Sequence, residues 1–575
     1  MNSIIDIIVF TLLIKVVILF PFSLMAQKNS IKIVKIQPQI DDTKARFGDD
    51  YRGLLKELRS LYKREKYSEF KNLLPLIAQI PILIVVFRLV RDTELDIVIS
   101  SELIGILSAI SAFIMCFVQN RLNPLVREQG FFSQWGTAIL LTMFSAYLAY
   151  ASPVGVGIYW IFSNTGAIGV AFICNAIYNP KKYIDYDKRT KKKVKKKEDK
   201  ELKKKYRLRE KEDTRMFFSV QKELVFYSER SGFYKYFKSY IEYILENTDI
   251  VVHYVTSDYD DQVFDIKHAR FKAYYCGPSS LITLLMKMDA EVVIMTMPDL
   301  EKYQYKRSLV KKDIEYIYVD HGFGSVNLML RKRALDHFDT VFCYGPSYNK
   351  EIREMEQLYK TKEKKLVDVN FGLFDTMIKE YKSSKNKKKT VLIAPSWQKD
   401  NILETCIDEI MEQLINCGYN IIIRPHPEFI KRFEARTKAL IEKYGSMMQT
   451  DFSDNKPVLN SDILITDWST ISMEFSFVTK KPCIFINTPM KISNEEYEKI
   501  SIKPIDLELR SKIGIELELD ELSKINSVIN ELSKKSYKIA ITKIMKESLY
   551  MKKSAGAKYI IKQIYNKREV KNEKN

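Results

Sequence analysis

The pattern of apolar positions divides the chain near residue 180. Before that point the apolar runs are long: they cover residues 4–24, 73–90, 97–118, 135–151 and 154–177. About 20 apolar residues are enough for a helix to cross a bilayer core of about 30 Å. We therefore expect five membrane-spanning helices, which place the two ends of this region on opposite sides of the membrane.

Charge in the connecting loops predicts the orientation. Residues 27–71 carry 12 Lys and Arg against 7 Asp and Glu, whereas residues 92–102 carry Asp92, Glu94, Asp96 and Glu102 and no basic residue. Basic loops stay on the cytoplasmic side. The chain should therefore begin outside the cell, with residues 27–71 and everything after residue 178 in the cytoplasm.

A strongly basic segment follows the last span. Residues 181–211 contain 17 Lys and Arg against 6 Asp and Glu. Their net charge of +11 is more than half of the chain's net charge of +20. Such a block could bind nucleic acid. Its position directly after a span favours the anionic lipids of the inner leaflet, with about 1 kcal/mol per basic residue near the surface. A solvated spacer helix is compatible with the same position. We treat residues 181–214 as a basic linker.

The remaining chain alternates strand-length apolar runs with helical patterns, which is typical of parallel sheets covered by helices. A lysine-rich break at 383–389 separates two series and predicts lobes at 215–385 and 386–575. Two such lobes that face each other across a cleft define the GT-B glycosyltransferase architecture. No GxGxxG or P-loop motif is present, which disfavours dinucleotide and Walker-type sites. The predicted strands are 224–227, 250–255, 292–296, 316–319 and 340–344, then 391–394, 420–423, 462–466 and 482–486.

Polar motifs stand where predicted strands end. They are residues 318–324 (YVDHGFG), 394–397 (APSW), 424–427 (RPHP) and 466–470 (TDWST). Ligands of open α/β sheets bind beyond the carboxyl ends of the strands. One histidine at a strand end is usually structural, but His321 and His426 occupy equivalent points of two facing lobes, and together they favour a catalytic cleft.

The last of these motifs predicts a phosphate site. Strand 462–466 turns through Asp467 into a helical pattern, so free backbone N–H groups and a positive dipole end should meet there. Ser469 or Thr470 could cap the helix or donate a hydroxyl to an anion. Glu474, one turn further, could accept from ribose hydroxyls. An ordinary capped strand–helix junction would show the same pattern.

Cysteine usage indicates a reduced compartment. Seven cysteines are scattered without a CxxC pair. We expect no metal framework and no cofactor, although a divalent metal is left open.

The first 180 residues resemble the YidC/Oxa1 membrane-insertase family. The resemblance rests on LLIKVVILFPFSLMAQKNSIKIVKIQPQI, LLKELRSLYKRE, LLPLIAQIPILIVVFRLV and VGIYWIFSNTGAI. It implies five core helices, a cytoplasmic helical hairpin after the first, and a membrane groove with a basic residue, here Lys15. Lys15 lies six residues before Pro21 where the family has five, and one residue turns a helix by about 100°. Alternatively, Lys15 packs against polar partners such as Gln79 or Asn164.

Residues 290–500 resemble the CDP-glycerol glycerophosphotransferase family of teichoic acid synthesis, through DHG, APSW, RPHP and ITDWST followed by Glu474. The resemblance implies a GT-B enzyme that moves glycerol phosphate from CDP-glycerol to an acceptor hydroxyl. It implies that His321 is the base, that His426 binds the donor pyrophosphate, that Ser469 and Thr470 hold phosphate and that Glu474 holds the ribose. The sequence departs at two positions: Asp320 replaces the family's Trp, and Gln398 a basic residue.

Together these patterns predict a five-helix membrane domain fused to a cytoplasmic two-lobed transferase that acts on a lipid-linked acceptor. A CDP-ribitol or nucleotide-sugar transferase of the same fold is one alternative, and a membrane-protein insertase with a soluble docking domain is another. The predicted site comprises His321 and Asp320 for catalysis, Ser396, Arg424, His426, Asp467, Ser469, Thr470 and Glu474 for the donor, Gly322 and Gly324 on the acceptor side, and Lys15 in the membrane groove. Asp320 could orient the His321 ring or cap its loop.

Overall fold

The computed structural model describes residues 4–47, 51–90, 99–122, 131–183, 186–383, 388–415, 417–452 and 455–573. The chain forms two compact units, Met1–Lys196 and Lys197–Asn575. Asp92, Glu94 and Asp96, on which the predicted orientation depends, lie outside the described residues, and so does most of the lysine-rich break.

The first unit is helical. Four of its helical stretches, within the described ranges, are long and apolar enough to cross a membrane: Ile4–Asp41, Phe70–Leu89, Ser101–Leu122 and Val154–Tyr183. The predicted span at 135–151 coincides with a helix whose apolar part, Ala138–Tyr150, is shorter, so a fifth span stays a prediction. The elements are Ile4–Ile14, a π-helical turn Lys15–Leu19, Phe20–Phe47, Tyr51–Arg64, Phe70–Val90, Ser101–Leu122, Phe131–Tyr150, Val154–Ile177 and a 3₁₀ turn Pro180–Tyr183.

Lys15 begins the π-helical turn, which lies between it and Pro21. A π-helical turn holds one residue more than an α-helical turn. Lys15 precedes Pro21 by six residues, and because the π-helical turn takes up one of them, Lys15 lies on about the same helix face as a residue five positions before Pro21 in a regular α-helix. Lys15 is 6% exposed, and a Cβ at Gly166 would lie 3.3 Å from its Cγ. The two polar residues expected beside Lys15 make hydrogen bonds to other side chains. Gln79 donates to Ser163 Oγ (3.3 Å), and Asn164 donates to Ser111 Oγ (3.0 Å). Lys15 makes no ion pair with any described residue.

The implied helical hairpin is present after the first span. Helices Phe20–Phe47 and Tyr51–Arg64 meet through the buried side chains of Ile36, Ile40 and Leu61. A surface helix that is otherwise strongly charged can bury an apolar stripe in this way.

The basic linker is a helix, Tyr186–Phe218, and its end belongs to the second unit. The Asp213 carboxylate accepts the backbone N–H of Tyr275 (2.7 Å), and Glu210 accepts that of Gly277 (2.9 Å). Phe217 is fully buried in the core of the first sheet. The linker therefore ends in packed structure and not in a free tether.

Two parallel sheets form the second unit, with orders β3-β2-β1-β4-β5-β6-β7 and β12-β11-β10-β8-β9. The strands are Leu224–Ser228 (β1), Val252–Thr256 (β2), Phe271–Tyr275 (β3), Val292–Met295 (β4), Glu315–Tyr318 (β5), Thr340–Cys343 (β6), Lys365–Asp368 (β7), Thr390–Ile393 (β8), Asn420–Ile423 (β9), Ile463–Thr466 (β10), Cys483–Ile486 (β11) and Gly514–Leu517 (β12). The nine strands expected from apolar runs are all present. The other three, β3, β7 and β12, are edge strands, whose partly exposed residues need no continuous apolar run.

Helices cover both sheets. In the first lobe they are Tyr234–Asn247, Gln262–Asp265 (3₁₀), Pro278–Met286, Val326–Met329, Pro346–Tyr359 and Gly372–Ser383. The rest are Ile402–Thr405, Ile407–Leu414, Pro427–Arg432, Glu434–Tyr444, Lys456–Leu459, Ile471–Thr479, Ile505–Ile513, Ile525–Lys534, Lys538–Ser548 and Ala555–Asn572, with 3₁₀ turns Gly445–Met447, Tyr497–Lys499 and Leu519–Lys524.

The last helix corrects the predicted lobe boundary. The prediction assigned all of 386–575 to the second lobe, but Ala555–Asn572 packs on the first sheet. Tyr559 donates to Glu315 Oε1 (2.5 Å), and Arg568 pairs with Glu223 (2.6 Å) and Asp249 (3.0 Å). Ile560 and Ile564 are fully buried in the core of the first sheet. The chain therefore returns to the first lobe after residue 548.

Candidate active site

The four polar motifs lie at the carboxyl ends of observed strands. The pair Asp320-His321 follows β5 in the first sheet. The other three motifs follow β8, β9 and β10, and β8 lies between the other two, so their turns are adjacent. The second sheet changes winding direction between β10 and β8, whose ends carry two of these motifs, and open α/β sheets bind ligands at such points. In the first sheet the change lies between β1 and β4, one strand away from β5.

Asp467 holds two of the turns together. Its carboxylate is 1% exposed and accepts the backbone N–H groups of Ser396 (2.7 Å), Trp468 (2.6 Å) and Ile402 (3.2 Å). Ser396 is itself 2% exposed. The Asp467 carboxylate therefore links the two turns through backbone hydrogen bonds, and its direct contact with a donor stays a prediction.

Arg510, which the sequence patterns did not indicate, supports the same turn. Its guanidinium lies over the rings of Trp468 (4.0 Å) and Phe485 (4.4 Å). It donates to the Asp467 carbonyl (2.7 Å) and to Asn487 Oδ1 (2.5 Å). A side chain so fully engaged fixes the backbone of the turn and has few donors left for a ligand.

His426 is held in one tautomer. Its Nδ1 accepts the backbone N–H of Glu428 (3.1 Å) at the start of helix Pro427–Arg432. Burial, together with the nearby ammonium of Lys491, lowers the pKa of His426 to about 3. The ring is therefore neutral at physiological pH. Because Nδ1 is the acceptor, Nε2 carries the proton and can donate it to an anion.

His321 is neutral too, and more open. Its side chain is 48% exposed and lies beside the rings of Phe233 (5.6 Å between centroids) and Tyr236 (6.2 Å). Desolvation in the cleft lowers the pKa of His321, and the charges of Lys491, Lys235 and Arg230 lower it further. A neutral, accessible imidazole can accept a proton from a hydroxyl.

The Asp320 carboxylate forms a hydrogen bond within its own loop. Its Oδ1 accepts the backbone N–H of Gly322 (3.2 Å) but lies 3.6 Å from His321 Nδ1, which is too far for a hydrogen bond. The Asp320 carbonyl accepts the Tyr344 hydroxyl (2.6 Å). Burial raises the pKa of Asp320 to about 7. Of the two roles left open by the sequence, the geometry favours the loop cap.

The glycine loop touches the predicted phosphate helix across the cleft. A Cβ at Gly322 would lie 3.4 Å from Thr470 Oγ1, and one at Gly324 only 2.9 Å from Asp506 Oδ1. Asp506 also accepts the backbone N–H of Ser325 (2.5 Å). Thr470, which immediately precedes helix Ile471–Thr479, makes no side-chain capping bond. Its hydroxyl is therefore not used as a cap.

Glu474 lies one turn further along this helix and faces two cations. Burial raises the pKa of Glu474, while the charges of Lys235 and Arg424 oppose the rise. Lys235 belongs to the first lobe and Arg424 to the second. The carboxylate and the two cations are thus close enough to interact across the cleft.

The sequence patterns did not indicate three basic residues of this cleft, Arg230, Lys235 and Lys491. Arg230 follows β1 and pairs with Glu428 of the other lobe, which Arg432 also binds (2.8 Å). Lys491 follows β11 and lies 5.2 Å from the centre of the Trp397 ring. The strand-end rule, applied to β1 and β11 as well, would have indicated Arg230 and Lys491.

No group of three or more His, Cys, Asp or Glu side chains that could hold a metal ion occurs in the part of the chain that the structure describes. The expectation of no cofactor stays a prediction.

The N-terminal resemblance is confirmed. Residues 1–182 match the family model described as 60Kd inner membrane protein. The curated relatives include Membrane protein insertase YidC of Saccharophagus degradans, 29% identical over 178 residues that cover 29% of this chain and 31% of that one. YidC of Dechloromonas aromatica is 28% identical over 28% of this chain and 30% of its own. The match thus spans less than a third of these relatives.

The C-terminal resemblance is confirmed by a second family model. Residues 331–498 match CDP-Glycerol:Poly(glycerophosphate) glycerophosphotransferase. This match holds the motifs of the second lobe and begins after His321. Solved structures with low similarity include the Wall Teichoic Acid Polymerase TagF (14% identity, TM-score 0.42, 66% of this chain and 98% of that one). Another is UDP-GlcNAc 2-epimerase from Methanocaldococcus jannaschii (14% identity, TM-score 0.35, 57% of this chain and 99% of that one). The chain is a membrane protein with a YidC-like part and a glycerophosphotransferase-like part.

Proposed function

We propose that the protein transfers glycerol phosphate from CDP-glycerol to a hydroxyl of a lipid-linked cell-surface polymer or glycan and releases CMP. The observation that carries the proposal is a pair of neutral histidines, His321 and His426, under the common influence of Lys491 and Arg230, in a chain whose second lobe matches a glycerophosphotransferase family. Cations beside neutral imidazoles suit a reaction that needs an anionic donor and a proton acceptor.

The reaction follows from these groups. His321 takes the proton of the acceptor hydroxyl while the hydroxyl oxygen forms a bond to the phosphorus of the glycerol phosphate. The bond from that phosphorus to the bridging oxygen breaks, and CMP leaves with the electron pair. The Nε2–H of His426 and the ammonium of Lys491 stabilise the charge that develops on CMP. Phosphoryl transfer depends mainly on such positioning and charge stabilisation.

The other predicted residues are assigned by their place around the pair. Ser469 and Thr470 would hold the donor phosphates, and Glu474 would hold the ribose. Arg424 would balance the negative charge of the donor between the phosphates and the ribose. Gly322 and Gly324 would line the acceptor side. Ser396 and Asp467 would act by positioning the turns. CDP-ribitol or a nucleotide sugar would fit the same groups, because the phosphate contacts are shared.

For the membrane unit we propose the orientation that the loop charges predict: the N-terminus outside, the transferase in the cytoplasm, and the basic helix near anionic inner-leaflet lipids rather than nucleic acid. A second candidate function, membrane-protein insertion, is favoured by one observation. The π-helical turn brings Lys15 to the face expected for a groove residue, buried beside Gly166.

The histidines give the test of mechanism. His321→Ala should lower transfer of radiolabelled glycerol phosphate by about 10²–10⁴-fold, as expected for loss of a general base, while CDP-glycerol binding measured by calorimetry stays near normal. His426→Ala should weaken donor binding as well as rate. His337→Ala, which removes an exposed histidine, is the control. Turnover like that of the wild type in either cleft variant removes that residue from the mechanism.

A further inference from the structure

The loop between β4 and β5 exposes two adjacent apolar side chains. Leu309 is 57% exposed and Val310 is 65% exposed. Lys311 and Lys312 follow directly in the sequence, and Lys312 is exposed. Apolar side chains next to exposed lysines are the composition of an interfacial lipid contact.

The loop is firmly held. Buried Ser308 donates its hydroxyl to the Met288 carbonyl (2.6 Å) and accepts the backbone N–H groups of Val310 (3.2 Å) and Lys311 (3.0 Å). The backbone N–H of Leu309 donates to the Met286 carbonyl (2.8 Å). The chain therefore presents the two apolar side chains outward on a fixed turn.

The surroundings hold a cluster of ammonium groups. Glu291 is 3% exposed and faces three ammonium groups: Lys311 (2.5 Å), Lys567 (3.7 Å) and Lys571. Their hydrogen bonds and charges outweigh burial and lower the pKa of Glu291, so the carboxylate is ionised yet outnumbered. The exposed carboxylates on the neighbouring segments are Asp249, which pairs with Arg568, and Asp313, Glu569 and Glu573. Lys287 and Lys312 are exposed as well.

The basic helix ends at the same edge of the first sheet. Helix Tyr186–Phe218 stops just before β1, and Lys222 pairs with Asp289 (2.8 Å), two residues before Glu291. Both places lie at the amino ends of the strands, the edge opposite the candidate active site. Val570, 49% exposed, adds an apolar side chain beside Lys571.

We propose that Leu309, Val310 and Val570, with Lys311, Lys312, Lys567 and Lys571, form a docking surface for an anionic lipid monolayer. The apolar side chains enter the interface, and the lysines face the lipid headgroups. This contact is separate from the membrane spans and from the proposed chemistry, and it would fix which edge of the transferase faces the bilayer.

The test uses the full-length protein in proteoliposomes, with Cys417→Ser as background because the other six native cysteines are buried. A polarity-sensitive fluorophore is attached at Val310→Cys or, as a control, at Ile539→Cys, which replaces another exposed apolar residue (86%). In vesicles with one third phosphatidylglycerol, we expect blue-shifted emission and quenching by spin-labelled lipids at position 310 only. Both effects should fade in pure phosphatidylcholine, in high salt, and in the variant that adds Lys312→Glu and Lys571→Glu.

Two results overturn the proposal. Water-like emission from position 310 in anionic vesicles would show that no lipid contact exists. Blue-shifted emission that persists in pure phosphatidylcholine, or without lipid quenching, would show that protein covers the surface. Because no donor or acceptor is present, neither result depends on the proposed transferase activity.

Discussion

Both cleft histidines are neutral because they share a desolvated, positively charged surrounding. Lys491 and Arg230 lower the pKa of His321 and of His426, and each cation would be better satisfied by phosphate than by a histidine. A bound diphosphate adds negative charge and so raises the pKa of both imidazoles. His321 would therefore become a stronger base only after the donor has bound, which restricts proton transfer to the loaded enzyme.

The pH dependence follows from the direction of this shift. A lowered pKa keeps His321 in its basic form well below its ordinary range, so kcat/KM should fall only at acidic pH, below about 6.5. In Lys491→Met the imidazolium loses a repelling charge, its pKa rises, and the acid limb of the pH profile should move to higher pH. The measurement is CMP release against pH for both proteins. An unchanged limb, or one moved to lower pH, contradicts the proximity of Lys491 to His321.

The two glycines of the acceptor-side loop form a matched pair. A Cβ at Gly324 would lie 2.9 Å from Asp506 Oδ1 and 3.3 Å from Thr470 Cγ2, whereas one at Gly322 would make only ordinary contact at 3.4 Å. Because displacement of the loop moves His321, Gly324→Ala should lower kcat/KM by roughly 10- to 100-fold. Gly322→Ala should have little effect, and the two variants should unfold at similar temperatures. Equal activities would show that the loop does not position the base.

At the scale of elements, the sequence indicates every central strand but only one of the four edge strands, β9, whose residues 421–423 are apolar. The runs at 292–295 and 463–465 are continuously apolar because those strands are covered on both faces. Strand β7 reads KLVD, and its residues are exposed or half-buried, so it leaves no such signal. The strand-end rule located His321 and His426, but the capping bond of His426 and the cross-lobe position of Arg230 depend on tertiary packing that no local pattern records.

The π-helical turn was also hidden, because composition does not distinguish it from an α-helix. If the turn accommodates one extra residue, deletion of Val17, which is 66% exposed, should convert it to a regular α-helix. The helical residues before and after the turn should then keep their orientation relative to each other. Deleting Leu12 instead should turn residues 4–11 by about 100° and expose the buried Ile7 and Thr11. Thermal unfolding in detergent should show near-native stability for the first deletion and a clear loss for the second. Equal losses would mean that the turn is required for stability.

At the scale of the molecule, one chain combines a YidC-like membrane unit with a glycerophosphotransferase-like enzyme. Under the proposed function the acceptor is lipid-linked, so an enzyme tethered to the same membrane meets it at a raised effective concentration. The domain order was readable from the sequence because each half carries its own pattern. The return of helix Ala555–Asn572 to the first lobe was not, since an amphipathic helix does not reveal which sheet it covers.

The identity of the donor can be tested with a direct assay. Purified full-length protein is offered CDP-glycerol, CDP-ribitol and UDP-sugars in separate reactions with a membrane fraction as acceptor, and the released nucleotide is quantified by chromatography. We expect acceptor-dependent release of CMP from CDP-glycerol that disappears in His321→Ala and persists in His337→Ala. Release of UDP from a sugar donor, or no nucleotide release from CDP-glycerol, would contradict this expectation.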